Sequence, residues 1–251
     1  MMTDEELLRY SRQILLPQLD VDGQEKLRAA TALIVGLGGL GSPVLLYLAA
    51  AGVGRLLLVD HDTVDLSNLQ RQIAHQTDSI GQPKVESAAA MARRINPHCE
   101  LVTFTGKLDD SNAEHWVGQS DVIVDCSDNF AVRFLLNRTS VKLKVPLVSG
   151  AAVRMDGQLS VYDPRQEHSP CYRCLYDETG EEDMRCVSNG VLAPIVGIVG
   201  SIQATETLKV LAEMGTSLVG RLLLLDGLRM QFREIKLNKN NQCPVCANAT
   251  T

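Results

Sequence analysis

The sequence predicts an α/β fold with a doubly wound, mostly parallel sheet that antiparallel strands extend. Short apolar runs rich in Val, Leu and Ile alternate with helical segments through the first 145 residues or so, which is typical of parallel strands joined by right-handed crossovers. A glycine-rich turn directly follows the first of these runs. After residue 145, two Asp-Gly steps lie between strand-like runs, and such steps favour antiparallel hairpins.

Local periodicity and turn residues predict the individual elements. We expect parallel strands at residues 31–35, 55–60, 100–105 and 121–125, and helices at residues 4–9, 24–30, 43–51, 83–96, 111–117 and 130–142. Ser42 resembles an N-cap before Pro43, and Gly52 a helix stop. We expect hairpins at residues 151–162, with the turn at 155–157, and at residues 221–237, with a buried helix at 191–213 between them. No linker interrupts the chain, so a single domain over residues 1–251 is expected.

The composition argues against several classes of protein. Of the 251 residues, 45% are hydrophobic and 22% are charged, which suits a globular domain with a sizeable core. A net charge of −6 without a cluster of Lys and Arg argues against nucleic-acid binding. No apolar run reaches the roughly 20 residues that a membrane span needs, and the acidic N-terminus lacks the pattern of a signal peptide. We therefore expect a cytoplasmic protein.

The glycine-rich turn predicts a Rossmann-like nucleotide site. Gly36, Gly38 and Gly41 form a GxGxxG pattern, with Gly39 inside it, between a predicted strand and helix. Such a turn lets backbone N–H groups at a helix N-terminus approach a pyrophosphate. Asp60 ends the next strand about 20 residues on, where an acid accepts hydrogen bonds from ribose. The alternative is a turn that serves packing alone, and NAD and ATP share this part of the pattern.

The segment after Asp60 favours ATP over NAD. It contains Asn68, Arg71 and, further on, Lys84. Hydride transfer needs no cations here, whereas adenylate formation builds negative charge on the α-phosphate and on the departing pyrophosphate, which Arg and Lys stabilise. Taken singly, each cation fits an ordinary surface position and Asn68 a turn. Together they indicate a phosphate-binding set.

Asp128 has two interpretations. It follows the predicted strand at 121–125, at the edge where open α/β sheets bind ligands. A carboxylate there can hold the Mg²⁺ that accompanies a triphosphate, because hard cations prefer oxygen ligands. Alternatively, Asp128 caps the helix that begins near residue 130. The sequence leaves both interpretations open.

Two Cys-x-x-Cys pairs predict a structural zinc site. The pairs are Cys171 with Cys174 and Cys243 with Cys246, and four thiolates would complete a tetrahedral site. The alternative is four separate thiols, while a redox role is less suitable because neither pair opens a helix after a strand. Seven cysteines without an export signal make a disulfide framework improbable. Of the other three, we expect Cys99 and Cys126 to be buried, and Cys186 to lie in a polar loop.

These motifs together resemble the HesA/MoeB/ThiF family, relatives of the ubiquitin-activating enzymes. The matching segments are RYSRQI (9–14), GLGGLG (36–41), SNLQRQ (67–72), GQPKVE (81–86), NPH (96–98), DCSDN (125–129), CYRC (171–174) and CPVC (243–246). The resemblance covers nearly the whole chain. Two further segments, 148–162 and 231–237, look closer to the molybdenum-cofactor branch of this family than to its thiamine branch.

The resemblance implies ATP-dependent adenylation of the C-terminal glycine of a ubiquitin-like sulfur-carrier protein. Residues 1–145 would then bind nucleotide, and residues 146–251 would bind the carrier and zinc. The nucleotide site would comprise Gly36, Gly38, Gly39, Gly41, Asp60, Asp62, Asn68, Arg71, Gln72, Lys84, Asp128 and Asn129. Arg71 and Lys84 would polarise the phosphates, and Asp128 would bind Mg²⁺.

The family also implies roles for two more residues. Arg12 would cross a homodimer into the ATP site of the neighbouring chain, although by itself it would suggest a surface ion pair. A persulfide donor would convert the acyl-adenylate to a thiocarboxylate, with Cys186 as a candidate covalent participant. Its acidic surroundings weigh against that role, because they raise a thiol pKa. Three alternatives stay open: the same reaction on the thiamine-pathway carrier, an NAD-dependent oxidoreductase, and a carrier-binding scaffold without catalysis.

Overall fold

The computed structural model describes residues 2–178 and 190–247. Their strands form one eight-stranded sheet in the order β3-β2-β1-β4-β5-β6-β7-β8. The strands are β1 (Thr31–Val35), β2 (Arg55–Asp60), β3 (Glu100–Thr105), β4 (Val122–Asp125), β5 (Leu147–Val153), β6 (Asp156–Tyr162), β7 (Arg221–Asp226) and β8 (Gln231–Lys236). The strands β1 to β5 pair in parallel, and β5 to β8 pair antiparallel. This confirms the predicted class of sheet.

Helices connect the parallel strands and cover both faces of that part of the sheet. They are α1 (Asp4–Ile14), α2 (Asp20–Ala29), α3 (Gly41–Ala51), α4 (Lys84–Ile95), α5 (Ala113–Val117), α6 (Phe130–Leu143), α7 (Tyr172–Leu175) and α8 (Ala193–Ala212), with short 3₁₀ helices at Leu66–Asn68 and Thr77–Ser79. One face of β1, represented by Ile34, packs in a cluster with α3, α4 and α8, while Leu33 faces a second cluster with α5 and α6. Burial on both faces explains why the parallel strands read as continuous apolar runs.

The helix α8 is the longest helix of the described chain. It has 20 residues, and the mean hydropathy of its most apolar 18-residue stretch is 1.3, so length and composition alone would let it cross a membrane. Half of its most apolar stretch is buried inside the molecule, where it packs against α3, β5 and β6. Gly200 permits this contact, because a Cβ there would lie 2.6 Å from the carbonyl oxygen of Leu40. The helix is a core element of this fold.

Both predicted hairpins are present, but the turn of the first was placed wrongly. Val153 pairs with Asp156, so Arg154 and Met155 form the turn and the Asp156-Gly157 step lies inside β6. Arg154 adopts a left-handed backbone conformation with φ 56°, which local propensity disfavours in a residue other than Gly, Asn or Asp. In the second hairpin, Asp226 pairs with Gln231 and the residues between them form the predicted turn.

Helix ends account for the other differences. The helix α3 begins at Gly41 after Leu40, so Ser42 is not its N-cap, and the buried Ser42 hydroxyl has no hydrogen-bond partner within the described chain. Pro83 takes the N-cap position of α4 rather than its first helical position. The predicted stop at Gly52 is confirmed by its φ of 84°. The helix α1 continues five residues beyond its predicted end at Arg9.

Candidate functional site

A cavity of about 750 Å³ lies at the carboxyl ends of the parallel strands. Ten of the twelve residues predicted to bind nucleotide line it: Gly36, Gly38, Gly39, Asp60, Asp62, Arg71, Gln72, Lys84, Asp128 and Asn129. Gly41 and Asn68 do not. Gly41 serves the turn itself, since a Cβ there would lie 1.9 Å from the carbonyl oxygen of Gly36. The side-chain nitrogen of Asn68 lies 3.5 Å from the Ser67 hydroxyl.

Asp60 ties the glycine turn to the end of β2. The Leu37 N–H donates to Asp60 Oδ2 at 2.7 Å, and the Asp62 N–H donates to Asp60 Oδ1 at 2.8 Å. Gly36 has φ 90°, and a Cβ on it would lie 2.7 Å from the carbonyl oxygen of Cys126. The turn is therefore held between β2 and the residues after β4. Each Asp60 oxygen keeps a second lone pair, so ribose hydroxyls can still donate to it.

Lys84 is buried and is paired with Asp62. Its Nζ lies 2.7 Å from Asp62 Oδ2, with the Lys84 side chain 7% exposed and that of Asp62 51% exposed. Burial raises the pKa of Asp62, but the hydrogen bond and charge of Lys84 outweigh it and hold the pKa below its ordinary value of 3.8. Arg71 lines the same cavity and donates from Nη1 to the Ser67 carbonyl oxygen at 3.1 Å. The two cations therefore border one cavity that begins at the glycine turn.

Asn129, not Asp128, caps α6. The Val132 N–H donates to Asn129 Oδ1 at 2.9 Å, and Asn129 has the extended backbone of an N-cap. The capping interpretation of Asp128 is therefore wrong. The Asp128 side chain is exposed at the cavity and has no hydrogen bond or ion pair within the described residues. A carboxylate with free oxygen lone pairs at this edge suits a hard cation.

A buried network beneath Asp128 was not predicted. Asp125 is fully buried and accepts hydrogen bonds from the Ser127 N–H at 3.0 Å, the Ser127 hydroxyl at 2.6 Å and the Ser149 hydroxyl at 2.8 Å. Arg133 Nη2 donates to the Ser127 carbonyl oxygen at 2.8 Å. These bonds fix the residues just before Asp128. The one available signal was an acid at the last position of a buried strand.

The cavity continues from the glycine turn onto the antiparallel strands. Ala151, Gln158, Leu224 and Arg233 are successive partners across β5, β6, β7 and β8, and all four line it. Arg233 is exposed and has no ion-pair partner within the described residues. The cavity thus extends from the glycine turn across β5 to β8 and is open along that face of the sheet.

Arg12 lies away from the cavity of its own chain. The helix α1 packs near the C-terminal end of α3, where Gln13 Nε2 donates to the Ala51 carbonyl oxygen at 2.8 Å. The glycine turn precedes the other end of α3, and eleven residues of helix span about 15 Å. Arg12 is exposed, does not line the cavity and has no ion-pair partner within the described residues. The surface ion pair suggested by its sequence context is therefore absent there.

The four paired cysteines form one cluster. Their sulfur atoms lie within 4.8 Å of one another, with Sγ–Sγ distances of 3.6 Å for Cys171–Cys243, 3.9 Å for Cys171–Cys174 and 3.4 Å for Cys174–Cys246. A tetrahedral site with zinc–sulfur bonds near 2.3 Å requires about 3.8 Å between sulfurs. The hydrogen bond between the Cys174 and Cys171 thiols, together with bonds from backbone N–H groups, lowers the pKa of Cys174 to about 4 against the effect of burial. The donor set and its spacing fit zinc.

The remaining cysteines divide into two groups. Cys99 and Cys126 are buried as predicted, and burial raises the pKa of Cys99 to about 12 and that of Cys126 well above its ordinary value. Neither thiol is a nucleophile at neutral pH. Cys186 lies outside the described residues.

Comparisons with known proteins agree with this architecture. The ThiF family pattern matches residues 10–245. Molybdopterin-synthase adenylyltransferase of Escherichia coli (strain K12) is 50% identical over 245 residues, 98% of both chains, and that of Haemophilus influenzae is 52% identical over 241 residues, 95% of this chain and 98% of the other. Adenylyltransferase and sulfurtransferase MOCS3 of Drosophila yakuba is 46% identical over 249 residues, 98% of this chain and 54% of that protein.

Solved structures show the same fold. The crystal structure of E. coli MccB with MccA-N7isoASN has a TM-score of 0.85 at 22% identity, over 98% of this chain and 76% of the other. PaaA has a TM-score of 0.82 at 26% identity, over 95% and 76% of the two chains. The family pattern spans most of the chain, and half of the aligned residues are identical to a relative over nearly its whole length, so this chain belongs to the ThiF family.

Proposed function

We propose that this chain is an adenylyltransferase that uses ATP to activate the C-terminal glycine carboxylate of a ubiquitin-like sulfur-carrier protein for molybdenum cofactor biosynthesis. The observation that carries this proposal is the cavity itself, which places Arg71, Lys84 and the unpaired Asp128 beside the glycine turn. The relatives named molybdopterin-synthase adenylyltransferase support the choice of reaction and of carrier.

ATP lies with its phosphates against the glycine turn and its ribose near Asp60. Arg71 and Lys84 neutralise the charge that develops on the α-phosphate and on pyrophosphate. Gln72 lines the same cavity, and its side-chain amide nitrogen can donate a hydrogen bond to a phosphate oxygen. Asp128 would hold Mg²⁺, which supplies further positive charge to the triphosphate. Its lack of a protein partner leaves the carboxylate oxygens free for that role.

The carrier tail enters along the open face of β5 to β8. Its terminal carboxylate is already ionised at neutral pH, so the reaction needs no general base. A carboxylate oxygen forms a bond to the α-phosphorus, the bond from that phosphorus to the β-phosphate oxygen breaks, and pyrophosphate leaves with the electron pair. Catalysis is then alignment plus charge stabilisation. Ala151 and Leu224 give the tail an apolar floor, and Arg233 offers it a cation.

A homodimer completes each site with Arg12 of the other chain. Leu8 and Arg12 lie on one face of α1 and Leu15 is the C-cap residue that follows it; the two leucines are 77% and 73% exposed. A second exposed apolar patch, Leu66 and Ile73, flanks Arg71. Packing of the first patch of one chain on the second patch of its partner covers both and brings Arg12 toward the cavity.

Heterodimers test this arrangement. Arg12→Ala and Asp128→Ala homodimers should both lack activity. A mixed dimer should recover part of it, because one of its two sites then has both residues intact. If verified heterodimers show no recovery, Arg12 does not act across the dimer.

The cysteine cluster binds one structural zinc. It joins the segment after β6 to the C-terminal segment after β8, through Cys171 and Cys243. Four thiolates fill the coordination sphere, so no open position is left for catalysis. Asn137 Nδ2 lies 3.6 Å from the Cys171 sulfur and supports the site from α6.

Carrier-dependent exchange of labelled pyrophosphate into ATP tests the reaction. The carriers of the molybdenum and thiamine pathways should be assayed side by side, each with a control lacking its terminal glycine. Exchange with the molybdenum-pathway carrier alone supports the proposal, and exchange only with the thiamine carrier moves the enzyme to that pathway. Binding of NAD in place of ATP would instead indicate an oxidoreductase, and ATP binding without any exchange a carrier-binding scaffold.

Cys186 is tested in a second step with a persulfide donor. If its thiol takes part covalently, Cys186→Ala should form the acyl-adenylate normally and fail to yield thiocarboxylate. An unchanged yield would show that sulfur passes directly from the donor to the adenylate.

A further inference from the structure

His75 is a buried titratable residue that the proposed reaction does not use. Its side chain belongs to the loop that also carries Arg71 and Gln72, and the residue is 6% exposed. It does not line the cavity. A buried imidazole is costly unless both ring nitrogens have partners, because each is a strong hydrogen-bonding group.

Both ring nitrogens have partners on other segments. Nε2 lies 2.9 Å from the Leu37 carbonyl oxygen, and Nδ1 lies 3.0 Å from the Ser87 hydroxyl. A carbonyl oxygen only accepts, so Nε2 carries the proton and Nδ1 accepts from Ser87. Burial lowers the pKa of His75 and so favours this neutral ring, in which both nitrogens are satisfied.

These two bonds join three segments of the phosphate-binding set. Leu37 lies in the glycine turn, and its N–H is already bound to Asp60. Ser87 is one helical turn after Lys84 on α4. His75 thus connects the glycine turn and the helix that carries Lys84 to its own loop. Gln72 belongs to the same loop and lies three residues before His75 in the sequence. A shift of His75 changes the spacing of all three.

We propose that His75 is a positioning residue that fixes the distance between the glycine turn, the Arg71 loop and the Lys84 helix, and thereby sets the affinity for the triphosphate of ATP. The proposal rests on the proposed function only in taking ATP as the ligand. It requires no contact between His75 and ATP.

Two substitutions separate the two bonds of the ring. The amide nitrogen of Gln reaches the position of Nε2, so His75→Gln keeps the donor to Leu37. The amide of the shorter Asn reaches only the position of Nδ1, so His75→Asn loses that donor. Loss of one buried hydrogen bond corresponds to about five- to tenfold in affinity. We expect His75→Asn to weaken ATP binding by that factor and His75→Gln to weaken it about twofold.

Ser87→Ala removes the second bond while keeping the imidazole. Its matched control is Ser140→Ala, since Ser140 is also buried and its hydroxyl donates to the Val145 carbonyl oxygen at 2.6 Å near the C-terminal end of α6. Both variants should lower the melting temperature by similar amounts. Only Ser87→Ala should weaken ATP binding.

Calorimetric ATP titration and thermal melts of all four variants provide the test, with the KM for carrier as a further readout. The proposal predicts that ATP affinity falls while the KM for carrier stays unchanged. Equal ATP affinities for His75→Asn and His75→Gln, or a loss shared by Ser140→Ala, would overturn it and make His75 a core residue only. Failure of the proposed function can be told apart from failure of this inference. The first would appear as absent pyrophosphate exchange in the wild-type protein, and the second as unchanged ATP affinities of the variants relative to the wild type.

Discussion

The pair of Lys84 and Asp62 should respond unequally to loss of either partner. The Lys84 side chain is 7% exposed, whereas Asp62 is 51% exposed. Asp62→Ala leaves an ammonium group buried without its partner, and breaking a buried ion pair in this way costs about 3–5 kcal/mol. Because water reaches the Asp62 side of the pair, we expect Asp62→Ala to lower the free energy of unfolding by a smaller amount, about 2–3 kcal/mol. For a domain of this size, that lowers the melting temperature by about 5–10 °C.

Lys84→Met should be much milder for stability and far more severe for activity. Met fills similar volume without a charge that needs a partner, and Asp62 can be solvated where it stands. The expected loss of stability is therefore below about 1 kcal/mol. Pyrophosphate exchange should fall by about 10²–10³, the usual effect of removing one positioned donor to developing negative charge.

Denaturation and exchange rates, measured on both variants and on the double variant, check this reasoning. The double variant should be close in stability to Lys84→Met, because without the ammonium the loss of Asp62 costs little. If Lys84→Met is as unstable as Asp62→Ala, packing rather than charge determines the effect. Near-normal pyrophosphate exchange in Lys84→Met would contradict the proposed role of Lys84 in binding the phosphates.

Three further predictions follow from the site and its surroundings. Asp128→Ala should abolish exchange at unchanged stability, whereas Asn129→Ala should lose about 1 kcal/mol as a capping residue; the reverse pattern would contradict both assignments. Zinc analysis should give one metal per chain, and Cys174→Ala should lower both metal content and melting temperature, while Cys99→Ala, a buried thiol outside the cluster, should keep the metal. Burial holds the pKa of His75 below its ordinary 6.5, so below that pH the unfolded chain binds a proton that the folded chain does not, and stability falls as pH decreases. Urea midpoints of His75→Gln should lack this part of the slope, and an identical slope would mean that other groups cause it.

The parallel half of the fold was predictable because its signals are local. A strand buried on both faces needs an unbroken apolar run, and residues 31–35 and 55–60 became β1 and β2 with the predicted bounds. Gly52 ended α3 because its left-handed φ excludes a side chain without strain. The cysteine cluster was predictable for a similar reason. Each Cys-x-x-Cys pair is recognisable from its own spacing, and two such pairs supply the four sulfurs that complete one tetrahedral site.

Local signals failed where a tertiary contact decided the conformation. The Asp156-Gly157 step has the composition of a turn, yet it lies inside β6, because pairing with β5 and β7 fixes the register. A Cβ on Gly157 would lie 2.4 Å from Val199 on α8, so this glycine is needed for packing rather than for a turn. The actual turn uses Arg154, whose positive φ no propensity favours. The sequence around Gly157 gives no sign of this contact, because Val199 is 42 residues further along the chain.

The site shows the same limit at the level of single side chains. Asp128 and Asn129 are adjacent and both are good N-cap residues, so the sequence offers two candidates for one position. The first residue of α6 decides between them: because α6 begins at Phe130, the cap is Asn129 and the Asp128 carboxylate is left without a backbone partner. Asp125, bound to Ser127 and to Ser149, then holds the residues just before Asp128, whose carboxylate lines the cavity. The carboxylate proposed to hold Mg²⁺ is thus distinguished by having no partner within the described residues, and that property exists only once the helix boundary and the buried network are known.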